Sequence, residues 1–189
     1  MIETEIIDNF LDEKEFKALS LQMGVLGVND VHNPFLWVWE DDVSYDSSDP
    51  NSQHDNDIIG GQCCHLFKHS APYQVDSPFL PLLYPIFLLL DPRLILRIKA
   101  NLQPKTPEIE MTPWHQDISI GNKLKDEITN CILYMNTNNG YTELKDGTKI
   151  ESIENRLVMF SNSLEHRGTT CTDVKKRVVI NFNFILNNV

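Results

Sequence analysis

The sequence predicts a mainly β protein in which helices precede a sandwich or barrel of strands around a polar pocket. Segments with helical spacing fall in the first half of the chain, and strand-like segments fill the second half. This order lacks the strand–helix alternation of a doubly wound α/β sheet. The last strand-like segment, residues 177–186, divides into an apolar face and a largely polar face. A polar face directed inward indicates a pocket rather than a dry core.

The first half of the chain is predicted to contain two short strands, two helices and a long loop. Asp12 is a suitable helix N-cap, and Glu15 three residues later completes a capping-box-like pair. The later helix has prolines near its start, and it must end before Pro92. The predicted elements are a strand running from residue 6 to 11 into the first helix, a strand at 36–40, a loop at 41–61 and a helix at 79–90.

Strand patterns continue from residue 94 to the end of the chain. In residues 94–101, apolar side chains at even positions alternate with Ile95, Arg97, Lys99 and Asn101 on the other face. Asn139-Gly140 and Asp146-Gly147 are typical of hairpin turns. The predicted strands are residues 94–101, 115–120, 128–136, 141–144, 149–153, 157–161 and 177–186.

The negative charge of the chain is concentrated in one region. The 189 residues carry a formal net charge of −11, which argues against a protein that follows a nucleic-acid backbone. Residues 18–67 contain no Lys or Arg and eight acidic side chains, so this region holds most of the net charge. The loop at 41–61 therefore has two interpretations. It is either a lid that selects basic substrates, or a solvated acidic loop.

The cysteines and the chain start predict a cytoplasmic protein with no membrane segment. Cys63 and Cys64 are adjacent, and neither pairs with Cys131 or Cys171 in a CxxC spacing, so we expect reduced thiols. The N-terminus lacks the basic and apolar regions of a secretory signal. The longest apolar run, residues 82–90, is interrupted by proline and is too short to cross a bilayer.

The spacing of two histidines and one aspartate in the sequence indicates a metal site. His115 and Asp117 stand at i and i+2, which places both side chains on one face of a strand. His166 follows another predicted strand and can arrive opposite them. Two imidazoles and one carboxylate on one side of a metal leave three coordination positions open. Arg177 begins the last strand, where a buried guanidinium requires an anion, and a carboxylate suits its planar fork.

This order of residues resembles the Fe(II)/2-oxoglutarate-dependent dioxygenases, and most closely their prolyl-hydroxylase-like branch. The resemblance runs from about residue 94 to residue 184, and residues 131–136 match the family's strand that carries a Tyr, here Tyr134. It implies one domain over residues 1–189 with a double-stranded β-helix (jelly-roll, cupin-like) core. Residues 1–93 would supply helical support and the acidic loop, and residues 94–189 the catalytic core. Gly140 stands where the family has two successive glycines, which is a departure.

The resemblance implies an oxidoreductase that uses Fe(II), 2-oxoglutarate and O₂, with ascorbate as a supporting reductant. His115, Asp117 and His166 would hold the iron, while Arg177 and Tyr134 would bind the distal carboxylate of 2-oxoglutarate. The reaction would couple hydroxylation of a C–H bond to conversion of 2-oxoglutarate into succinate. Because the carboxylate of Asp117 is present, hydroxylation is favoured over halogenation. The substrate class stays open between a small molecule and a peptide, including a prolyl residue, and the oligomeric state also stays open.

Several alternatives compete with this interpretation. The same strands could serve a cupin-like metal-dependent isomerase or lyase, or a non-catalytic metal-binding module. The two histidines could instead be satisfied core residues, with Arg177 paired to Asp173. Residues 63–69 contain Cys and His ligand types for zinc, although adjacent cysteines chelate one ion poorly. Asn101 could hydrogen-bond the cosubstrate or the substrate.

Overall fold

The computed structural model describes residues 3–25, 35–41, 61–70, 74–118 and 127–187. The predicted loop at 41–61 lies outside these residues except at its two ends. The helices are α1 (Glu13–Gln22) and α2 (Tyr84–Leu90), with a 3-10 helix at Leu80–Leu83. The strands are β1 (Glu5–Ile7), β2 (Val38–Glu40), β3 (Gln62–His69), β4 (Val75–Asp76), β5 (Pro92–Pro104), β6 (Thr129–Tyr134), β7 (Tyr141–Leu144), β8 (Lys149–Glu151), β9 (Leu157–Ser161), β10 (His166–Gly168) and β11 (Lys176–Leu186).

The strands form two antiparallel sheets, which confirms the predicted mainly β class. The larger sheet has the order β1-β9-β6-β11-β5-β3-β2, with β4 paired to β3, and the smaller sheet has the order β10-β7-β8. Strands from residues 1–93 and from residues 94–189 share the larger sheet. No helix in the described segments is long and apolar enough to cross a membrane.

Each face of the larger sheet has its own apolar cluster. One cluster joins the sheet to the two helices and includes Phe182 of β11, Leu19 of α1 and Ile86 of α2. The other lies between the two sheets and joins residues of β6, β9 and β11 to Leu144 and Ile150 of the smaller sheet. The predicted alternation along β11 is therefore confirmed. Its even-numbered apolar side chains face the helices, and its odd-numbered side chains face the smaller sheet.

The first helix begins as its sequence predicts. Asp12 is the N-cap, and its carboxylate accepts the backbone N–H of Lys14 at 2.9 Å. Phe16 and Leu19 are buried against the sheet. The hydrogen bond goes to Lys14 rather than to Glu15, so the cap is a simple Asp cap without the predicted capping-box pairing.

The helix predicted at 79–90 is divided in two. Residues 80–83 form a 3-10 turn, and α2 starts only at Tyr84. Pro81 and Pro85 lie in the first turns of these two elements, where a missing backbone N–H costs nothing. Asp91 ends α2 in a left-handed conformation with φ of 44°.

Strands β3 and β5 depart from the sequence-based expectation. The sequence predicted no strand over residues 62–69, yet they form an eight-residue strand beside β5. Strand β5 extends over thirteen residues, and its register with β11 shifts between Ile95 and Arg97. This bulge turns the strand, so that Leu94 is 45% exposed and Ile95 packs on the helical-side core. The predicted single apolar face is therefore wrong before the bulge.

Asn155 connects the N-terminal segment to the start of β9. Its side chain accepts the N–H of Leu11 at 2.9 Å and donates to the Leu11 carbonyl at 2.8 Å, and its own φ is 59°. We expect Asn155→Ala to lower the free energy of unfolding by about 3 kcal/mol, because two buried backbone groups lose their partner and Ala is strained at this φ. Asn155→Gly loses the same side-chain contacts but is not strained at this φ. Chemical denaturation should therefore show a loss of about 2 kcal/mol in its free energy of unfolding. A loss below about 1 kcal/mol for Asn155→Ala would contradict this interpretation.

Candidate active site

The smaller sheet brings His115 and His166 together. The two residues form an antiparallel bridge, with both backbone N–H···O=C distances at 3.0 Å. Their ring centroids are 4.4 Å apart. His166 begins β10, and a second bridge between Met111 and Thr169 continues the pairing on the N-terminal side of His115. The residues before His115 thus follow the edge of the smaller sheet.

This pairing corrects the predicted strand at residues 115–120. His115 is the last residue of the edge segment rather than the first, and Asp117 lies in a bend. Residues 119 and 120 are outside the described part of the chain. Asn162 holds the bend by accepting the Ile118 N–H at 3.3 Å and donating to the Ile118 carbonyl at 2.9 Å. His115 and Asp117 face the same side because of this bend, not because of strand alternation.

Asp117 completes a cluster of three ligand types. One ligand atom from each of His115, Asp117 and His166 lies within 4.8 Å of the other two, and the described residues contain no other such group. The distance from His115 Nε2 to Asp117 Oδ1 is 3.9 Å. These separations suit a divalent ion with bonds of about 2.1 Å to each ligand.

The protonation states of the cluster favour a cation. The Nδ1 of His115 lies 3.0 Å from the Pro113 carbonyl, which can only accept, so the neutral tautomer that fits this contact carries its proton on Nδ1 and offers the Nε2 lone pair. Burial lowers the pKa of His166 to about 3, which keeps that imidazole neutral. Burial opposes ionisation of Asp117, yet the charge of Arg97, the two neighbouring histidines and the hydrogen bond from Asn183 together outweigh it and hold the pKa of this carboxyl below its usual range.

Arg177 is a buried cation with only neutral partners. It is 3% exposed, and its guanidinium donates to Ser152 Oγ at 2.8 Å, Thr142 Oγ1 at 3.1 Å and Gln103 Oε1 at 3.2 Å. Within the described residues, no carboxylate makes a hydrogen bond or an ion pair with it. Burying a guanidinium without a counter-charge costs several kcal/mol, so an anion that reached this position would be bound favourably.

Tyr134 presents an unsatisfied donor beside this cation. Its side chain is fully buried, and its ring lies 5.7 Å from the Arg177 guanidinium carbon. Its hydroxyl has no hydrogen-bond partner among the described residues. Burial raises the pKa of Tyr134, so the hydroxyl keeps its proton and can donate it to an anion. Arg177 and Tyr134 together fit a carboxylate guest.

The other sequence-based candidates have different environments. Asp173 accepts the backbone N–H of Asn139 at 3.0 Å, and the structure shows no pairing of it with Arg177. Cys64 lies 3.1 Å from Glu40 Oε2 and 3.3 Å from Asn101 Oδ1, so Asn101 is engaged by a thiol. His65 contacts the Leu36 carbonyl at 2.7 Å and Ser77 Oγ at 2.9 Å. Residues 63–69 therefore hold strand-packing side chains rather than a zinc site.

The neutral partners of Arg177 and the partners of Asp117 were not predicted from the sequence. Gln103 continues the polar face of β5, which the odd-numbered positions from Arg97 onward already indicated. Ser152 and Thr142 come from the region of the smaller sheet and carry no distinctive signal. Asn183 contacts Asp117 from β11 and lies on the polar face that sequence alternation had identified.

The ring of Trp114, next to His115, is contacted by two cations. Lys145 Nζ is 4.5 Å and the Arg167 guanidinium carbon 4.3 Å from the centroid of its ring. Each cation also has an acidic partner, Glu165 for Lys145 and Glu143 for Arg167. This surface beside the histidine pair is thus nearly balanced in charge.

The two-sheet β fold thus brings together a His-Asp-His group that could hold a metal ion, and it also buries Arg177 beside Tyr134. Residues 108–185 match the family model of the 2OG-Fe(II) oxygenase superfamily. The resemblance seen in the sequence is therefore confirmed, and this segment is an Fe(II)/2-oxoglutarate-dependent oxygenase domain. No curated protein sequence matches the chain significantly.

Solved structures share the double-stranded β-helix fold. A Pseudomonas putida prolyl-4-hydroxylase superposes with a TM-score of 0.54 at 15% identity, covering 97% of this chain and 92% of that chain. A Trichoplax adhaerens prolyl hydroxylase in complex with a hypoxia inducible factor peptide fragment gives 0.62 at 13% identity, covering 96% and 83%. A Burkholderia pseudomallei oxidoreductase of the 2OG-Fe(II) oxygenase family gives 0.61 at 12%, covering 98% and 87%.

Gly140 provides a test of the Arg177 position. A Cβ at this residue would lie 2.6 Å from the Thr170 carbonyl oxygen and 2.7 Å from Arg177 Cδ. We expect Gly140→Ala to displace Arg177 and to weaken 2-oxoglutarate binding by about tenfold, measured by calorimetry on the metal-loaded protein. Gly147→Ala is the control. It is strained at φ of 95° but meets nothing within 4 Å, so it should cost stability only. Wild-type affinity in Gly140→Ala would contradict the expectation.

Proposed function

We propose that this protein is a hydroxylase in which His115, Asp117 and His166 hold Fe(II), and Arg177 and Tyr134 bind the distal carboxylate of 2-oxoglutarate. The observation that carries the proposal is the buried Arg177, which lacks a counter-charge and lies beside the unsatisfied Tyr134 hydroxyl. A dianionic 2-oxo acid has one carboxylate for this pair and a second end that can chelate a metal.

The three ligand residues fit Fe(II) in both type and number. Two neutral imidazoles and one ionised carboxylate on one side of an ion leave positions for a chelating cosubstrate and for dioxygen. When bound, the iron and 2-oxoglutarate supply oxygen activation coupled to decarboxylation of the cosubstrate to succinate. Because the Asp117 carboxylate would occupy one coordination position of the iron, hydroxylation of a substrate C–H bond is favoured over halogenation.

The rest of the chain orients the cosubstrate and excludes water. Ser152, Thr142 and Gln103 each bind a different nitrogen of Arg177, so the plane of its guanidinium is fixed before an anion arrives. Tyr134 belongs to the apolar cluster between the two sheets, together with Phe160. The His166 ring packs edge-on against Phe160 at 5.0 Å, which fixes the ring without a hydrogen bond to its buried Nδ1.

The competing class of enzyme would use a metal ion without 2-oxoglutarate. A cupin-like isomerase or lyase has no need of a buried cation with an unsatisfied Tyr hydroxyl next to it, so no specific contact favours that class. A non-catalytic module would likewise have no anion to compensate the desolvation of the Arg177 guanidinium.

Four free cysteines also support a reducing, cytoplasm-like compartment.

For the substrate we propose a peptide, with a prolyl residue as the first choice and a preference for basic flanking residues. One structural neighbour is a prolyl hydroxylase in complex with a peptide fragment, and this supports a peptide. Support for the basic preference comes from the acidic region. Glu40 is compensated by Lys99 at 2.7 Å, whereas residues 42–60 contain acids and no Lys or Arg. Neutralising Asp41, Asp42, Asp46 and Asp49 together should raise KM for a basic peptide at low salt.

The experiment measures succinate release with Fe(II), 2-oxoglutarate, O₂ and ascorbate. Proline-containing peptides with basic or acidic flanks are compared with free amino acids and with single-stranded nucleic acid. The expected result is stimulation by a peptide, strongest with basic flanks, and none in an Arg177→Ala variant. Stimulation that survives in Arg177→Ala would contradict the 2-oxoglutarate assignment, and stimulation only by free amino acids would contradict the peptide proposal.

A further inference from the structure

The carboxylate of Asp117 is held from two sides by side chains of the larger sheet. Arg97 Nη2 donates to Oδ1 at 2.7 Å, and Asn183 Nδ2 donates to Oδ2 at 3.0 Å. Arg97 Nε also donates to Asn183 Oδ1 at 2.9 Å. Asn183 Nδ2 makes a further contact with Asn130 Oδ1 at 2.8 Å. Both carboxylate oxygens therefore have a fixed donor before any metal arrives.

These partners stand in one row across three strands. Arg97 of β5 is the register partner of Asn183 of β11, and Asn183 is the register partner of Asn130 of β6. We call this row the Arg97–Asn183–Asn130 rung. Asn130 and Asn183 are fully buried, so the rung is rigid. Asp117 lies in a bend outside the strands, and its side-chain position consequently depends on the rung.

Arg97 and a metal at the three-residue cluster would share one oxygen atom. Arg97 contacts Oδ1 of Asp117, which is also the oxygen 3.9 Å from His115 Nε2. The Asp117 side chain is only 7% exposed, and that of Arg97 is 21% exposed, so water screens their charges weakly. A divalent ion on Asp117 would therefore lie close to a fixed positive charge.

We propose that Arg97 is a positioning residue and the resident counter-charge of Asp117, which orients this carboxylate and limits the affinity of the site for divalent cations. This inference rests on the proposed function, because it takes Asp117 as a metal ligand. Before metal binds, the guanidinium compensates a carboxylate that would otherwise be buried alone. After metal binds, two positive centres share the carboxylate, and their repulsion weakens the binding of the ion.

The direction of the change in metal affinity distinguishes an effect of the Arg97 charge from an effect on the orientation of the Asp117 carboxylate. Loss of Arg97 removes the repulsion, while Asn183 still orients Oδ2. Metal affinity should therefore rise, because the removed repulsion outweighs the lost orientation of the carboxylate. Loss of Asn183 removes an orienting contact and keeps the repulsion, so it should weaken metal binding. A merely structural role for Arg97 would weaken metal binding in both variants.

The test is Mn²⁺ binding to the full chain, measured by calorimetry at pH 7.5 without 2-oxoglutarate. We expect Arg97→Gln and Arg97→Met to bind Mn²⁺ about tenfold more tightly than wild type, and Asn183→Ala about tenfold more weakly. Arg97→Lys keeps the charge and should stay within about threefold of wild type. The control is Arg93→Met at the exposed start of β5, where Arg93 pairs with Glu127 and should leave Mn²⁺ binding unchanged.

The melting temperature gives a second readout that works with weakly stable variants. Saturating Mn²⁺ should raise the melting temperature of Arg97→Gln by more than it raises that of wild type, because the ion supplies the missing counter-charge. Equal or weaker Mn²⁺ binding in both neutral Arg97 variants would overturn the counter-charge proposal and leave the proposed function standing. Absence of Mn²⁺ binding by wild type would overturn the metal site and this inference together.

Discussion

Replacing His166 with Ala is expected to weaken divalent-metal binding by more than about 100-fold and to abolish 2-oxoglutarate turnover. In the proposed site His166 would supply one of three ligands, and a water molecule would not reproduce the position of its neutral, buried imidazole. Its backbone bridge to His115 should persist, because that pairing uses main-chain atoms. Calorimetric titration with Mn²⁺ measures the loss directly.

His65→Ala is the matched control for this prediction. His65 is also a buried histidine, yet both of its ring nitrogens are engaged outside the metal cluster. This variant should lower the melting temperature and leave Mn²⁺ affinity within about twofold of wild type. If His166→Ala bound Mn²⁺ as tightly as the control, the three-residue cluster would not be the metal site.

Replacing Arg177 with Met is expected to raise the dissociation constant for 2-oxoglutarate by about 100-fold while metal affinity stays unchanged. In the proposed site the buried guanidinium would bind the distal carboxylate, whereas Met would fill the space without a charge. Because wild-type Arg177 carries an uncompensated buried charge, the metal-free melting temperature should fall by no more than about 4 °C. Calorimetry with 2-oxoglutarate on the Mn²⁺-loaded protein measures the first effect.

Arg177→Lys separates charge from shape. An ammonium keeps the positive charge but cannot make the three fixed contacts with Ser152, Thr142 and Gln103, so we expect about a tenfold loss of 2-oxoglutarate affinity. Arg93→Met, at an exposed ion pair, should bind 2-oxoglutarate normally. An Arg177→Met protein with wild-type 2-oxoglutarate affinity would exclude this arginine from the cosubstrate pocket.

Sequence reasoning was most successful where local pattern and spacing carry the information. The alternation along β11 predicted both its core face and its polar face, because a strand has a period of two whatever it pairs with. His115, Asp117 and His166 were identified by spacing and resemblance, and the structure brings the three together. The Asp12 helix start depends on a single local hydrogen bond and was predicted for the same reason.

The features that the sequence did not predict depend on long-range pairing. Strand β3 becomes a strand because it pairs with β5, and its mixed Cys, His and Lys composition has no clear alternation. The bulge near Ile95 reverses the exposed and buried sides of β5 without changing its sequence pattern. The sequence placed Arg97 on the opposite face of its strand from the even-numbered apolar residues, yet its contact with Asp117 exists only because β5 and β11 place Arg97 opposite Asn183.

In the proposed function, one site in this chain binds both a ferrous ion and 2-oxoglutarate. The most direct measurement is an anaerobic titration of the wild-type protein with one equivalent of Fe(II) and then with 2-oxoglutarate, followed by visible absorption. Chelation of the 2-oxo acid to the metal should produce a visible charge-transfer band that saturates at one equivalent, and that is absent in His166→Ala. A wild-type protein that binds Fe(II) and shows no new band on addition of 2-oxoglutarate would contradict the account.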